Sequence, residues 1–468
     1  MVAVRTSAMT ASPALTSAKG RSRRSGHPGA RVSALMGSLL TVRRGCSRGL
    51  PGTIFLILTS YYLLKVIREP LILLSGGAEV KAYAAAGQAL LLIPVLRAHG
   101  AIARRVSRFK LIAIIFGFVA SNLIVFALLL RAHVSIGLSF YLWVGTFNYL
   151  LVATFWSFAN DVYTPEQGKR LFAIVGVGSS VGALAGAALA SFLLKHLSPL
   201  ELMLAASALL VVTLVPFAVV NAQRSCCPKD RGRELTKDEP LTGAGGFQAL
   251  LADRYLLLIG AITILANWVS NSGEYVLDKT LIEVARSSAI ADPARFVGQF
   301  KAEYFWWVNL VAVIGQFFVV SRVLKYLGVG TALLVLPVVA MGGALAIVLF
   351  PVLGLIRVAK VAEKGTEYSL ETTAVNALYL VVSRDAKYKA KAVIDTFFVR
   401  TGDVCAAASI WIGTHLLSVR TYGFAAVNVV LTATWFLVAW RVRALHLARS
   451  GAIESPPFTT APSAAPST

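Results

Sequence analysis

Apolar residues in this chain do not alternate with polar ones; they run on. Between residues 52 and 443 about twelve stretches of roughly 20 mostly apolar positions follow one another. Each is long enough to cross a hydrocarbon core about 30 Å thick at a helical rise of about 1.5 Å per residue. The first six lie at 52–75, 80–97, 110–131, 134–158, 171–194 and 200–221. Six more lie at 254–278, 302–321, 326–349, 351–382, 390–417 and 423–443. A polar stretch, 222–250, separates the two sets and holds Pro228, Pro240 and the run Gly-Ala-Gly-Gly at 243–246. The pattern predicts an all-α membrane protein of twelve transmembrane helices in two six-helix halves, 51–221 and 251–445. A linker loop, 222–250, joins them, and tails of biased composition, 1–50 and 446–468, flank them.

Polar positions interrupt the apolar runs with a period of their own. The first span contains Lys65, Arg68, Glu69 and Pro70, and the fourth Thr146, Asn148, Ser157 and Asn160. In the seventh, Asn267, Ser270, Asn271, Glu274 and Asp278 fall on one helical stripe; in the tenth, Arg357, Lys360, Lys364, Glu367 and Glu371 do the same. An ionisable group at mid-membrane costs about 2.5–3.5 kcal/mol on insertion scales, so such groups face water or a partner. Spans 3, 6, 9 and 12 carry almost no internal charge and read as lipid-contacting. Polar spans 1, 4, 7 and 10 would then surround a central pathway. Two groups of six with a long middle loop is the layout of major-facilitator carriers, whose halves rock about a site near the midplane.

Two readings of the charges compete. Lys65 and Glu69 are spaced i, i+4 for an ion pair, with Pro70 inviting a kink beside them, so the cluster could serve packing alone. Alternatively Lys65 and Arg68 face Arg357, Lys360 and Lys364 as the wall of an anion cavity, with Glu274 and Glu367 balancing the charge when it is empty. Arg binds phosphate oxygens in pairs and Lys supplies a compact charge, which suits a phosphorylated substrate.

Composition supports the membrane class: 57% of residues are hydrophobic, 14% are charged and the mean hydropathy is +0.71. The net charge of +23 reads as topology. Lys and Arg crowd the tails and the even-to-odd loops. The opposite side has only Lys81, Arg131, Lys195, Lys279, Arg286, Arg295, Lys301 and Arg420. Positive residues stay cytoplasmic, which puts both termini and the linker inside. No soluble basic domain with interleaved aromatics is present, so a nucleic-acid partner is not expected; the lipid bilayer is. Cys46, Cys226, Cys227 and Cys405 have neither a disulfide framework nor zinc-site spacing. No metal, no cofactor and no nucleophile–base constellation is expected, which points to a carrier and not an enzyme.

Residues 1–50 hold nine Lys or Arg and no acid. That is the composition of an organellar transit peptide, or of a basic cytoplasmic tail, the simpler reading. Gly178, Gly182 and Gly186 form GxxxGxxxG within an apolar run. No strand precedes them to make a phosphate loop, so close helix packing is expected. "AKYKAKA" at 386–392 reads as a basic anchor between spans 10 and 11. Tyr61, Tyr62 and Trp156 are interfacial anchors or platforms for a nucleobase.

Two stretches narrow the choice further. "FWSFANDVYTPEQGKRLF", 155–172, carries Phe155, Trp156, Phe158, Ala159, Asn160, Glu166, Lys169 and Arg170. "EYSLETTAVNALYLVVSRDAKYKAKAVID", 367–395, carries Tyr368, Ser369, Leu370, Tyr388, Lys389, Lys391, Ala392, Ile394 and Asp395. Both resemble the nucleotide transporter family of plastids and intracellular bacteria, the ATP/ADP antiporters. Tyr61, Leu64, Lys65, Arg68 and Glu69 are similar to that family's first-span motif, and Glu274 falls where the family has a functional Glu. The chain departs from the pattern after Leu370, where Glu371, Thr372, Thr373, Val375 and Asn376 replace an Asp-Pro and a Lys-Glu. It departs again at Gly402-Asp403, where the family has Gly-Lys; Arg400, one turn earlier, could compensate. The resemblance implies a major-facilitator fold and exchange of ATP for ADP. It places the chain in a bacterial inner membrane or, alternatively, a plastid inner envelope. The substrate-binding residues expected from residues and resemblance together are Lys65, Arg68, Glu166, Glu274, Lys360, Lys364, Glu367 and Arg400.

Overall fold

The computed structural model describes residues 49–162, 165–225, 248, 250–287, 290–382 and 390–454. Side chains are described for all of these except 49, 89, 108, 160–162, 165–173, 223–225 and 451–454. Most of both tails and of the linker, with Cys46, Cys226 and Cys227, and most of the 386–392 basic run lie outside the described residues.

Every regular element among the described residues is a helix. The stretch Gly49–Ala103 is one rod broken at Gly77, whose φ of 81° is open to glycine at little cost. It gives α1, 49–76, and α2, 78–103. Then come α3 (Arg108–Arg131), α4 (Gly137–Val162), α5 (Pro165–Leu193), α6 (Pro199–Val212) and α7 (Leu214–Ser225). Beyond the linker are α8 (Arg254–Ser287) and α9 (Pro293–Ile314), which continues through a π-helical turn, Gly315–Val319, into α10 (Val320–Tyr326). Next are α11 (Gly328–Leu349) and α12 (Leu353–Thr366), a second π turn at Glu367–Glu371, and α13 (Thr372–Leu378). The last are α14 (Val399–Trp411), between π turns Ile394–Phe398 and Ile412–Leu416, and α15 (Thr421–Glu454).

Local chemistry sets several of these starts. Ser198 and Glu201 satisfy each other's backbone N–H groups in a capping box, with Pro199 at the first helical position of α6. Asp292 accepts from the Arg295 N–H at 2.9 Å ahead of Pro293 and so opens α9. Nine helices among the described residues are long and apolar enough to cross a membrane, against the twelve expected. One of the nine is Leu50–Ala103, which contains two of the expected spans in a single kinked rod. The expected spans 351–382 and 390–417 are divided by π and 3-10 turns into pieces individually too short to qualify.

The first helices pack among themselves, α1–α2 against α4, α5 and α6, and α3 against α6. Those beyond the linker do the same, α15 against α11 and α8, α14 against α8, and α9 against α12. The Arg449 guanidinium on α15 grips the Asp253 carboxylate ahead of α8 with two hydrogen bonds, 3.0 and 2.7 Å. Between the groups, α1–α2 meets α8, α9 and α14, and α9 meets α5.

The glycine stripe acts as expected. A Cβ on Gly178, Gly182 or Gly186 would lie 2.7, 2.6 or 2.8 Å from the carbonyl oxygens of Pro51, Phe55 and Thr59. The absent side chains let α5 lie directly on the α1 backbone, where Thr59 also donates to the Gly182 carbonyl at 3.2 Å. Gly182→Val should therefore lower the melting temperature of purified protein, overpacking of this kind costing about 1–3 kcal/mol. Gly176→Ala, on the same helix but with nothing within 4 Å, should be neutral or mildly stabilising. Equal effects of the two would show that the stripe is not a contact.

Candidate functional site

The broken rod α1–α2 places the first charges. Tyr61, Tyr62, Lys65, Arg68 and Glu69 are all buried on α1. The expected Lys65–Glu69 pair does not form. Glu69 is taken by other cations: it pairs with Lys81 on α2, lies 3.8 Å from Lys301 on α9, and accepts from its α1 neighbour Arg68 at 3.4 Å. Lys65 instead lies over aromatic faces, 3.9 Å from the ring centre of Phe305 and 4.9 Å from that of Tyr62. A desolvated cation–π contact contributes about 2 kcal/mol. Lys65 is 3% exposed, and among the described residues no carboxylate reaches it at ion-pair distance. Arg68 lies over Tyr141, 4.5 Å from its ring centre. Tyr62 fixes the wall by donating to Asn309 of α9 at 3.0 Å.

A second layer forms around α8. Lys81 reaches Asp278 at 2.6 Å and Glu274 at 3.2 Å, besides pairing with Glu69. Lys301 pairs with Asp278 and lies 4.0 Å from Glu274. Carboxylate oxygens of Glu69, Glu274 and Asp278 lie within 4.8 Å of one another, a spacing that would suit a metal ion. Here two ammonium groups share that space, and with Arg68 they balance the three negative charges. The adjoining cavity, lined by Lys81, Asn271, Glu274, Asp278 and Asp403, holds about 30 Å³, one water's share of the liquid.

The third layer comes from α12. Lys360 is buried and donates to Glu363 at 2.6 Å and to the Ser270 carbonyl at 3.2 Å. It crosses α8 at Gly273, where a Cβ would lie 2.7 Å from its Nζ. Lys364 pairs with Glu367 at 2.8 Å, and Glu367 also accepts from Ser270 at 3.2 Å. Glu367 opens the π turn Glu367–Glu371, in which Thr372 donates to the Glu367 carbonyl at 2.8 Å. The turn packs on the π turn Gly315–Val319, where a Cβ on Gly315 would lie 2.6 Å from Ser369 Oγ. Such turns inside helices concentrate at functional sites.

Six of the eight expected residues thus converge: Lys65, Arg68, Glu274, Lys360, Lys364 and Glu367. Charges facing Lys65 include Arg68, Glu274 and Lys364. Arg400 stands aside, paired with Asp403 at 2.9 Å, while Asp403 also accepts from Asn271 at 2.7 Å. Glu166 lies on α5, and its side chain is outside the described residues. Arg357 leaves the expected cationic wall: it is half-buried, pairs with Glu303 at 2.9 Å and lies over Phe300. Lys81 and Lys301, counted from the sequence only among the cations of the side opposite the termini, are buried at the centre of the network. Part of the 155–172 motif serves packing, since Phe155 and Phe158 lie against Phe217 at 6.3 and 5.2 Å between ring centres.

Residues 140–450 match the model of the TLC ATP/ADP transporter family. The chain belongs to that family. Among its curated relatives is ADP,ATP carrier protein 1 of Chlamydia pneumoniae, 25% identical over 352 residues, 64% of this chain and 65% of that one. The protein of the same name from Chlamydia trachomatis is 24% identical over 356 residues, 65% of this chain and 64% of its own. The match therefore spans just under two thirds of these relatives' length. Among solved structures, the nucleoside transporter NupG aligns with a TM-score of 0.59 at 13% identity, covering 85% of this chain and 98% of that one. At that identity the likeness concerns the fold, which is major-facilitator-like. The TLC family member described here is thus a multi-pass, all-helical membrane protein with a charged centre.

Proposed function

We propose that this chain is an alternating-access carrier that exchanges adenine nucleotides, ATP for ADP, across a bacterial inner membrane. In this reading the halves 51–221 and 251–445 rock about the charged centre, with both termini and the linker in the cytoplasm. The charge distribution and the Chlamydia relatives support that setting. One observation carries the substrate class: the buried amino group of Lys65 lies over aromatic rings, with no carboxylate at ion-pair distance among the described residues. Around it Lys65, Arg68, Lys81, Lys301, Lys360 and Lys364 face Glu69, Glu274, Asp278, Glu363 and Glu367, an excess of one cation among these groups. Phosphate oxygens would bind Lys65 first and then compete with Glu367 for Lys364. The phosphates are bound and released without bond cleavage.

The test is flux into vesicles. Protein reconstituted with ADP inside should take up labelled ATP, and vesicles without internal nucleotide should take up little. Uptake indifferent to internal nucleotide, or binding without flux, would sink the exchange reading.

A further inference from the structure

Exchange requires that the empty carrier stay put and the loaded carrier turn. The network at the end of the bundle beside Gly77 has the composition for such a condition. Lys81 lies on α2, while Glu274 and Asp278 lie on α8, beyond the linker. One ammonium from the first group of helices therefore holds two carboxylates of the second, together with Glu69 of its own group. A second tie crosses the same boundary: Lys279 of α8 pairs with Glu79 at 2.5 Å, and Tyr275 donates to Glu79 at 3.0 Å. Beyond these ties opens a cleft of about 880 Å³, bordered by Glu79, Lys279, Arg420 and Tyr422. That volume is of the size ligand sites use, about 300–1,000 Å³. On the inner side, Glu274 faces Lys65 and Lys364 as well as Lys81 and Lys301. This latch network and the anion site thus share Glu274, and the residues of the second tie line the cleft.

We propose that Lys81 is the positioning residue that makes exchange obligatory, because it is the cation the latch and the substrate compete for. This rests on the nucleotide-exchange reading above. With the site empty, Lys81 holds Glu69, Glu274 and Asp278 together and the halves cannot part at this end. Substrate phosphates draw Lys81 toward themselves. Three carboxylates then share Lys301 and Arg68, and the repulsion of Glu69 from Glu274 and Asp278 separates the halves. The cargo supplies the negative charge that opens its own exit, and an empty site cannot.

The experiment is efflux from vesicles preloaded with labelled ADP, with and without nucleotide outside. In the unmodified chain, efflux should need external nucleotide. In Lys81→Met, efflux into nucleotide-free medium should rise about 10-fold or more, the shift in population expected when a charge-assisted contact is lost. Lys81→Arg should restore the requirement. Folded Lys81→Met that still needs external nucleotide would overturn the proposal. Should Lys81→Met fail to fold, the full chain with its four cysteines replaced by serine and carrying Glu79→Cys with Lys279→Cys gives a second reading. A short reducible bis-thiol cross-linker should stop exchange and a reductant should restore it; exchange that continues while cross-linked overturns the latch. An unmodified chain without any exchange would instead remove the functional reading itself, a result distinct from exchange without leak.

Discussion

Lys65→Gln should lower nucleotide affinity about 10- to 100-fold while leaving the fold intact. The size follows from the loss of one charge-assisted contact to phosphate, about 1.5–3 kcal/mol. The second clause follows from burial. Lys65 is 3% exposed and among the described residues meets aromatic rings, with no carboxylate in ion-pair reach. A charge kept from water without a paired carboxylate is costly, so its removal relieves the empty protein of that cost at the loss of two ring contacts. The melting temperature of Lys65→Gln without ligand should equal or exceed that of the unmodified protein, while the rise in melting temperature caused by ATP should shrink. Lys65→Arg, which keeps the charge over the rings, should lose less. Unchanged ATP-dependent stabilisation in Lys65→Gln would assign the lysine to helix packing and remove the main support for an anion site at α1.

How far the sequence foretold this site depends on where each charge lies along its helix. Glu274 and Asp278 stand out because they fall on a polar stripe within an apolar run. Lys65, Arg68, Lys360 and Lys364 are conspicuous for the same reason, being charges inside a hydrophobic stretch. Lys81 and Lys301 are not, because each sits at the edge of an apolar run, where charge ordinarily faces water. Two features of the fold bring them inside. α8 continues to Ser287 and α9 begins at Pro293, so both helices extend beyond the apolar stretches 254–278 and 302–321 that mark them. The break at Gly77 then redirects α2, so that Lys81 reaches Glu69 on α1. Hydropathy reports where lipid touches a helix; it does not report where another helix covers one. The Lys65–Glu69 expectation failed by the same route, since spacing along α1 cannot register cations arriving from α2 and α9. The packing role of Gly178, Gly182 and Gly186 was legible because only small residues permit that approach.

The largest effect on stability is expected at Lys301. Its side chain is fully buried, pairs with Asp278 and lies 3.8 Å from Glu69 and 4.0 Å from Glu274. Lys301→Met preserves length and apolar volume but leaves three buried carboxylates to share Lys81 and Arg68. Breaking a buried pair by removing one partner costs about 3–5 kcal/mol, because the remaining charge keeps its desolvation penalty without its partner. Lys301→Met should therefore give a large fall in melting temperature and in folded yield. Asp278→Asn alone should also destabilise, since it leaves Lys301 with distant partners only. Together, the two changes leave Glu69 and Glu274 facing Lys81 and Arg68, two charges against two. The double variant should then be more stable than Lys301→Met and fall well short of the sum of the single losses. Melting of the four proteins in one detergent closes the cycle. Additive losses would mean that Lys301 contributes its aliphatic stem to packing and that the three carboxylates are neutralised by other means. The latch at Lys81 would then lose the repulsion on which its release depends.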